Sequence, residues 1–532
     1  MARLRGRGLD VFQCTGGYGR RRRGPGGLTL IVTITVVLAL LGAGGWVLYR
    51  RLNPDNSVAL LVLGMTVSAD DPLAAGAVPL GDGQLALALA DAVVTGPDGK
   101  AATTGADGRT ALAFVAPAQL SVVAPGYQNA TFQVDAVPPD GPLVLQLEPL
   151  LLKGRVTNPQ GSGVAGAAVT VGERETVTDD LGSFEMVAAV PGPVRVTKMA
   201  WETAEAEWDG SGDRFAMTLE PFIVKGVRVY GATAGSTADF DNLLDMIDGT
   251  VINTLVFDTK EEGGAVLYDS QVPDAQAAEI GSYDAGTVLA AAEERGLYTI
   301  TRIVTFQDPH WAEANPDHAA RNTATGDVWR NSRGLAWADP TDREAWEYPL
   351  ALAVEACRLG FDEIQFDYVR FPSDGDISVL GYDTAVNEQV RVETIAAYLA
   401  EARERLHEEG CAVSADIFAI VLSVSDDQGI GQRPSEVSAS VDAISPMIYP
   451  SHYSPGWMGF DDPNDHPSEV VGQALDAGMP KLQGAMMRPW LQAFYYDATQ
   501  IAEEIARAEE HGSGWILWNA TSEFEAEWFP TE

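Results

Sequence analysis

Hydrophobic positions fall along this chain in three textures. From Leu28 to Tyr49 the run LTLIVTITVVLALLGAGGWVLY carries no charge for 22 residues, enough to cross the roughly 30 Å hydrocarbon core of a bilayer as a helix. Between about Val58 and Pro221 the apolar residues come in short β-branched runs separated by Gly, Pro, Asp and Asn, which predicts antiparallel all-β units. Beyond Pro221, apolar strand-like runs alternate with stretches of helical period, which predicts a parallel α/β domain.

In that last region eight strands are expected, at 222–230, 254–260, 298–306, 363–369, 412–418, 443–449, 481–487 and 514–520, with helices such as DREAWEYPLALAVEACRLG and VRVETIAAYLAEARERLHEEG between them. Eight β/α units in one stretch of this length predict a (β/α)8 TIM barrel over 222–532, whose chemistry sits at the C-terminal ends of the strands. The full expectation is a multi-domain chain: an Arg-rich tail (1–27), a transmembrane helix (28–49), two small β-sandwich modules (58–149 and 150–221) and the barrel.

Charge orients the first segment. Seven Arg precede the apolar run and only Arg50 and Arg51 follow it closely, so the positive-inside rule places the tail in the cytoplasm and the remaining domains outside the cell membrane. Trp46 and Tyr49 stand where rings favour the interface. A cleaved signal peptide is the competing assignment, with Gly42-Ala43-Gly44 as its small residues.

The formal net charge is -40; the first 51 residues contribute nine Arg and one Asp, a local +8, so the remainder carries -48. Such a surface repels phosphate backbones, and a nucleic-acid partner is not expected. The three cysteines make no CxxC pair. Cys357 falls in a helical pattern and Cys411 opens an apolar strand, positions compatible with a disulfide.

The two β-rich halves resemble each other. Each shows strand, turn, strand, a Thr-x-x-x-Gly turn, strand and a closing Leu-Glu-Pro, as in TTGADGRTALAF with LVLQLEP and TVTDDLGSFEMV with FAMTLEP. The segments GRVTNPQGSGVAGAAV and TDDLGSF resemble the carboxypeptidase regulatory-like family of small β-sandwiches. That resemblance implies spacer or glycan-binding modules.

The segment GFDEIQFDYVRFP at 360–372 carries the most specific chemistry. With VFDTKEEGG, VTFQDPHW, SADIF, SPMIYPSHY, MRPWLQAF and GWILWNA it resembles a bacterial family of glycosyl hydrolase domains, from about 222 to 525. The resemblance implies a glycosidase acting on a polysaccharide, with no cofactor. Against the chitinase pattern D-G-x-D-x-D-x-E, the chain keeps Asp362 and Asp367 but has Gln365 at the middle Asp and Val369 at the catalytic Glu. Substrate-assisted chitinase chemistry therefore lacks its proton donor, and the segment looks more like the fourth strand of the α-amylase group, where a strand-end Asp is the nucleophile.

Hydrolysis of a glycosidic bond needs an ionised carboxylate and a protonated one. The resemblance implies Asp367 as nucleophile or base and Asp416, at the end of the next strand, as general acid; Asp258 is the alternative second carboxyl. Lys260, Arg302, Arg370, Tyr449, His452, Arg488, Trp490 and Trp518 are expected at the strand ends as substrate contacts, because rings stack on apolar sugar faces and Arg pairs bidentately with oxygens. Asp367 could instead be a structural cap paired with Arg370. No metal motif is present: the six His are scattered and there is no HExxH or EF-hand loop. The rival function is a catalytically silent glycan-binding or envelope-organising protein; a deacetylase would need a metal site and a lyase a suitable base.

Overall fold

A computed structural model of the protein describes residues 57–68, 77–80, 84–212 and 214–531. The expected Arg-rich tail and transmembrane helix lie outside the described residues; among these, no helix is long and apolar enough to cross a membrane.

The chain forms two compact units. One runs through Leu152 and takes in Glu185–Gly192 and Trp208–Gly212; the other holds Lys153–Phe184, Pro193–Glu207 and everything from Asp213. In the first, Ser57–Val67 pairs antiparallel with Leu85–Ala88 and Arg109–Ala113 and parallel with Leu143–Gln146. A second sheet runs in the order Ala101–Thr103, Val93–Thr95, Ala118–Val123, Ala130–Val134. Ala118–Val123 alternates buried and exposed positions, the period of a strand with one face in a core, and Leu120 and Val122 join Val62 and Val94 there.

Residues 151–218 form a three-stranded and a four-stranded sheet. The repeat read from sequence has a structural basis in its turns. Thr104 Oγ1 donates to Leu89 O (2.5 Å) and accepts from Ala92 N (2.9 Å); Thr178 Oγ1 donates to Val164 O (2.7 Å) and accepts from Ala167 N (2.9 Å). Four residues on, Gly108 and Gly182 have φ of 69° and 74°, and a Cβ would stand 2.7 Å from Val62 O in one case and 2.2 Å from Val156 O in the other. The Thr satisfies buried backbone groups and the Gly permits the close left-handed turn.

The C-terminal domain is a closed eight-stranded parallel barrel. We label its strands β1 (Lys225–Arg228), β2 (Thr254–Lys260), β3 (Tyr298–Val304), β4 (Glu363–Asp367), β5 (Ala412–Phe418), β6 (Ala443–Ile448), β7 (Met486–Met487 continuing as Trp490–Gln492) and β8 (Trp515–Trp518). They pair in order, β8 returning to β1 and β5 to β6. All seven residues of β2 are buried, as expected of strands covered on one face by helices and on the other by the barrel interior.

Seven strands lie where the sequence placed them, but β7 runs later than the expected 481–487. Met479–Lys481 is a short 3-10 turn, and the strand is split at Arg488-Pro489, where Arg488 N still donates to Ile444 O of β6 (2.9 Å), before it continues at Trp490. Pro489 has no amide to donate, so its carbonyl alone joins the ladder, accepting from Ile516 N at 3.0 Å. A disulfide joins Cys357, in the helix Glu344–Leu359, to Cys411 at the mouth of β5, with the Cα atoms 5.9 Å apart.

Candidate active site

Register brings the charged residues together. Asp258 on β2 lies opposite Arg302 on β3, and Val304 opposite Asp367 at the end of β4. The Arg302 guanidinium becomes the hub. Its Nη1 donates to Asp258 Oδ1 (2.6 Å), its Nη2 to Glu262, and its Nε to Asp367 Oδ2 (2.9 Å), while Asp416 Oδ2 stands 3.9 Å from the same Nε. Asp258 takes a second guanidinium from Arg228 (2.5 Å). Arginine suits this place because its planar fork meets several carboxylates at once and stays charged when buried.

Above the hub opens a cleft of about 550 Å³, lined by Glu262, Arg302, Asp367 and Asp416 on its polar side. Aromatic walls come from Tyr449, His452, Tyr453 and Trp457 after β6, and from Trp490 and Trp518 on β7 and β8. Tyr368, with Arg370 and Phe418, closes a further side.

Asp367 and Asp416 form the floor. Asp367 Oδ1 accepts from Tyr368 N at 2.6 Å; Tyr368 sits at φ 48°, a backbone conformation costing a bulky residue about 1–3 kcal/mol and often found beside functional groups. Asp416 Oδ1 accepts from Trp490 Nε1 at 2.8 Å. The facing oxygens share Arg302 Nε as a neighbour, at 2.9 and 3.9 Å, so they can be no farther apart than those distances laid end to end.

The two carboxyls do not have equal environments. Burial, and then the charge of Asp367, push Asp416 well above the usual carboxylate range, against the opposing pull of Arg302 and the Trp490 hydrogen bond. For Glu262 burial would raise the pKa, but Arg302 and local hydrogen bonds overcome it and hold the group below its ordinary value. Burial and the nearby carboxylates raise Tyr449 far above an ordinary phenol, and burial lowers His452. The floor therefore sets Asp416, whose protonated form its surroundings favour, beside Glu262, whose ionised form they favour.

Of the residues expected from sequence, Asp367, Asp416, Arg302, Arg370, Tyr449, His452, Trp490 and Trp518 meet in this cleft. Asp258 does not line it: both of its oxygens are taken by Arg228 and Arg302 beneath the floor. Lys260 is also elsewhere. A bulge between Asp258 and Lys260 breaks the alternation of β2, and Lys260 Nζ pairs with Asp308 (2.5 Å) over the Tyr348 ring. Arg488, expected at a strand end, lies before the second half of β7 and pairs with Glu363, the first residue of β4, at 2.5 Å. It belongs to the opposite end of the barrel. Asp367 is paired with Arg302 rather than Arg370. Val369, at the chitinase Glu position, is fully buried in the apolar core.

Sequence reasoning missed Glu262, Tyr368, Tyr453 and Trp457. Glu262 was visible only inside the motif VFDTKEEGG, in the turn just after β2, where no periodic signal tells that it approaches Arg302. Among the described residues no group of three or more His, Cys, Asp and Glu is placed to hold a metal ion.

The model of a family described as "Putative glycosyl hydrolase domain" matches residues 226–524. The chain belongs to that family. Its matched region spans β1 through β8 and so contains the whole cleft. Among solved structures, the chain is similar to a hypothetical protein from Ruminiclostridium thermocellum (34% identity over 36% of this chain and 96% of that one, TM-score 0.33). It is also similar to the Bacillus cereus spore cortex-lytic enzyme SleL (12% identity, 57% and 73%, TM-score 0.36) and a chitinase from Chromobacterium violaceum (13%, 57% and 97%, TM-score 0.35). No curated protein matches the chain.

Proposed function

We propose that this glycosyl hydrolase domain cleaves a cell-surface or extracellular polysaccharide by two-carboxylate catalysis, Asp367 acting as nucleophile or base and Asp416 as general acid. The observation that carries the proposal is the placement of these two carboxyls on adjacent strands, flanking one guanidinium nitrogen in the floor of an aromatic-walled cleft. A glycosidase needs one carboxyl that keeps its proton and one that does not, and the burial of Asp416 beside Asp367 favours the proton on Asp416. Tyr449, Trp490 and Trp518 give sugar rings faces to stack on.

The bound on their separation favours retention. Carboxyls of retaining enzymes lie about 5–5.5 Å apart and those of inverting enzymes roughly 6.5–9.5 Å; the two distances to Arg302 Nε exclude all but the lower edge of the inverting window.

For location, the segment Leu28–Tyr49 would hold the domain at the outer face of a membrane, with the strand-rich modules as spacers. The Cys357–Cys411 disulfide supports placement outside the cytoplasm, where such bonds persist.

The test is to incubate the full chain with a panel of surface and extracellular polysaccharides, following reducing ends chemically and the first-formed anomer by proton NMR. Release of reducing ends with retained configuration is expected. Saturable binding without release would replace catalysis with glycan recognition alone.

A further inference from the structure

Five Lys and Arg side chains are buried in the barrel: Arg228, Lys260, Arg302, Arg370 and Arg488. Four of them pair with a carboxylate, at 2.5–2.6 Å in Arg228–Asp258 (2.5), Lys260–Asp308 (2.5), Arg302–Asp258 (2.6) and Arg488–Glu363 (2.5). Arg370 makes no ion pair among the described residues, although only 6% of its surface is exposed. It is also the member of the five, with Arg302, that lines the cleft. Arg302 is already saturated by carboxylates, so Arg370 is the uncommitted cation facing that space.

Its surroundings hold it in place with no carboxylate in ion-pair range, the charges of Asp367 and Asp374 acting on it only from farther away. Nη1 donates to Phe371 O (3.1 Å) and Ser373 Oγ (3.2 Å). Rings of Trp337, Tyr368 and Phe418 pack against the guanidinium carbon with centroids at 4.9, 4.9 and 4.6 Å. Aromatic faces stabilise a cation but accept none of the N–H bonds in the guanidinium plane. A buried cation lacking an anionic partner is costly, and a rigidly packed fork is suited to a carboxylate.

We propose that Arg370 is a specificity-determining residue that binds the carboxylate of an acidic sugar, so that the substrate class is a uronate-containing polysaccharide. The assignment rests on the glycosidase proposal for the same cleft and narrows it. The acidic surface of the chain does not oppose it: repulsion between exposed charges is screened beyond about 8 Å at physiological ionic strength, whereas the contact with Arg370 is direct and desolvated.

The experiment uses the full chain and three probes, oligogalacturonate, oligomannuronate and oligoglucuronate, each beside its carboxyl-reduced neutral counterpart. Binding is measured by calorimetry and turnover by reducing ends, for the wild type and Arg370→Met. The expected result is at least one uronate oligomer bound ten-fold or more tighter than its neutral counterpart, with that preference lost in Arg370→Met. Because the cage could collapse around Met, Arg370→Lys is the second variant; it retains charge without the fork and should keep only part of the preference.

The uronate assignment is overturned if no acidic oligomer outbinds its neutral counterpart, or if Arg370→Met keeps the preference while its melt is unchanged. The outcomes separate the two proposals. Turnover of neutral oligomers without a preference for uronates leaves glycosidase activity and removes this inference; a lost preference in Arg370→Met without turnover of any probe keeps the uronate site and removes catalysis.

Discussion

Replacing Asp416 by Asn should separate catalysis from stability. Asn is nearly isosteric, and its side-chain oxygen can keep the 2.8 Å hydrogen bond from Trp490 Nε1. It also abolishes a buried titrating group whose neighbour, Asp367, opposes its ionisation. The sign of the pH effect follows. A carboxyl whose folded pKa is raised holds its proton in the native state while the unfolded chain has released it, so stability falls as pH rises from the unfolded value toward the folded one. The variant should lose that portion of the pH dependence and melt at pH 7 within about 1 kcal/mol of the wild type, or above it.

Catalysis should respond in the opposite sense. A positioned general acid is worth about 10²–10⁴-fold, or roughly 3–5 kcal/mol of barrier. Asp416→Asn should lose that factor on a polysaccharide, whose leaving alkoxide must be protonated. On an aryl glycoside with an acidic phenol the loss should shrink to about ten-fold or less, since that leaving group departs without a proton. The assays are reducing-end release, phenol release and thermal melts across pH. Equal losses on both substrates, or a melt more than about 2 kcal/mol weaker at pH 7, would refute the assignment of Asp416 as acid.

Two further substitutions probe the supports of the floor. Arg302→Met removes the partner of Asp258, Glu262 and Asp367 and should destabilise the barrel by about 3–5 kcal/mol, the cost of leaving buried carboxylates uncompensated; a loss below about 1 kcal/mol in denaturant unfolding would contradict the hub. Gln492→Ala tests the aromatic wall. Gln492 Oε1 accepts from Ser451 N (3.0 Å) and Ser451 Oγ (2.7 Å), and Nε2 donates to Asn464 Oδ1 (3.2 Å), clasping both ends of the loop that carries Tyr453 and Trp457. The variant should raise KM several-fold with a smaller change in kcat; an unchanged KM would show that the loop needs no such clasp.

The architecture was largely legible because its signals are local. Apolar runs of strand length alternating with amphipathic helices suffice to count β/α units, and seven of the eight strands fall where those runs lie. The exception arose where the attractive run KLQGAMM begins in a 3-10 turn and Pro489 divides the real strand. Strand-end positions also located most of the cleft, including Asp367, Asp416 and Trp518.

What the sequence could not supply were pairings across the barrel and departures from alternation. Asp258 looked as available as Asp416 until the register set it between two guanidinium groups. The β2 bulge that sends Lys260 toward Asp308 has no periodic signature. Glu262, Tyr453 and Trp457 lie in connecting segments, where loop conformation rather than hydrophobic period decides what reaches the cleft.

The most direct measurement compares the wild type with Asp367→Asn in release of reducing ends from a susceptible polysaccharide, with a thermal melt of each. The expected result is loss of release in the variant with a nearly unchanged melt. Equal release by both proteins would contradict the role given to Asp367.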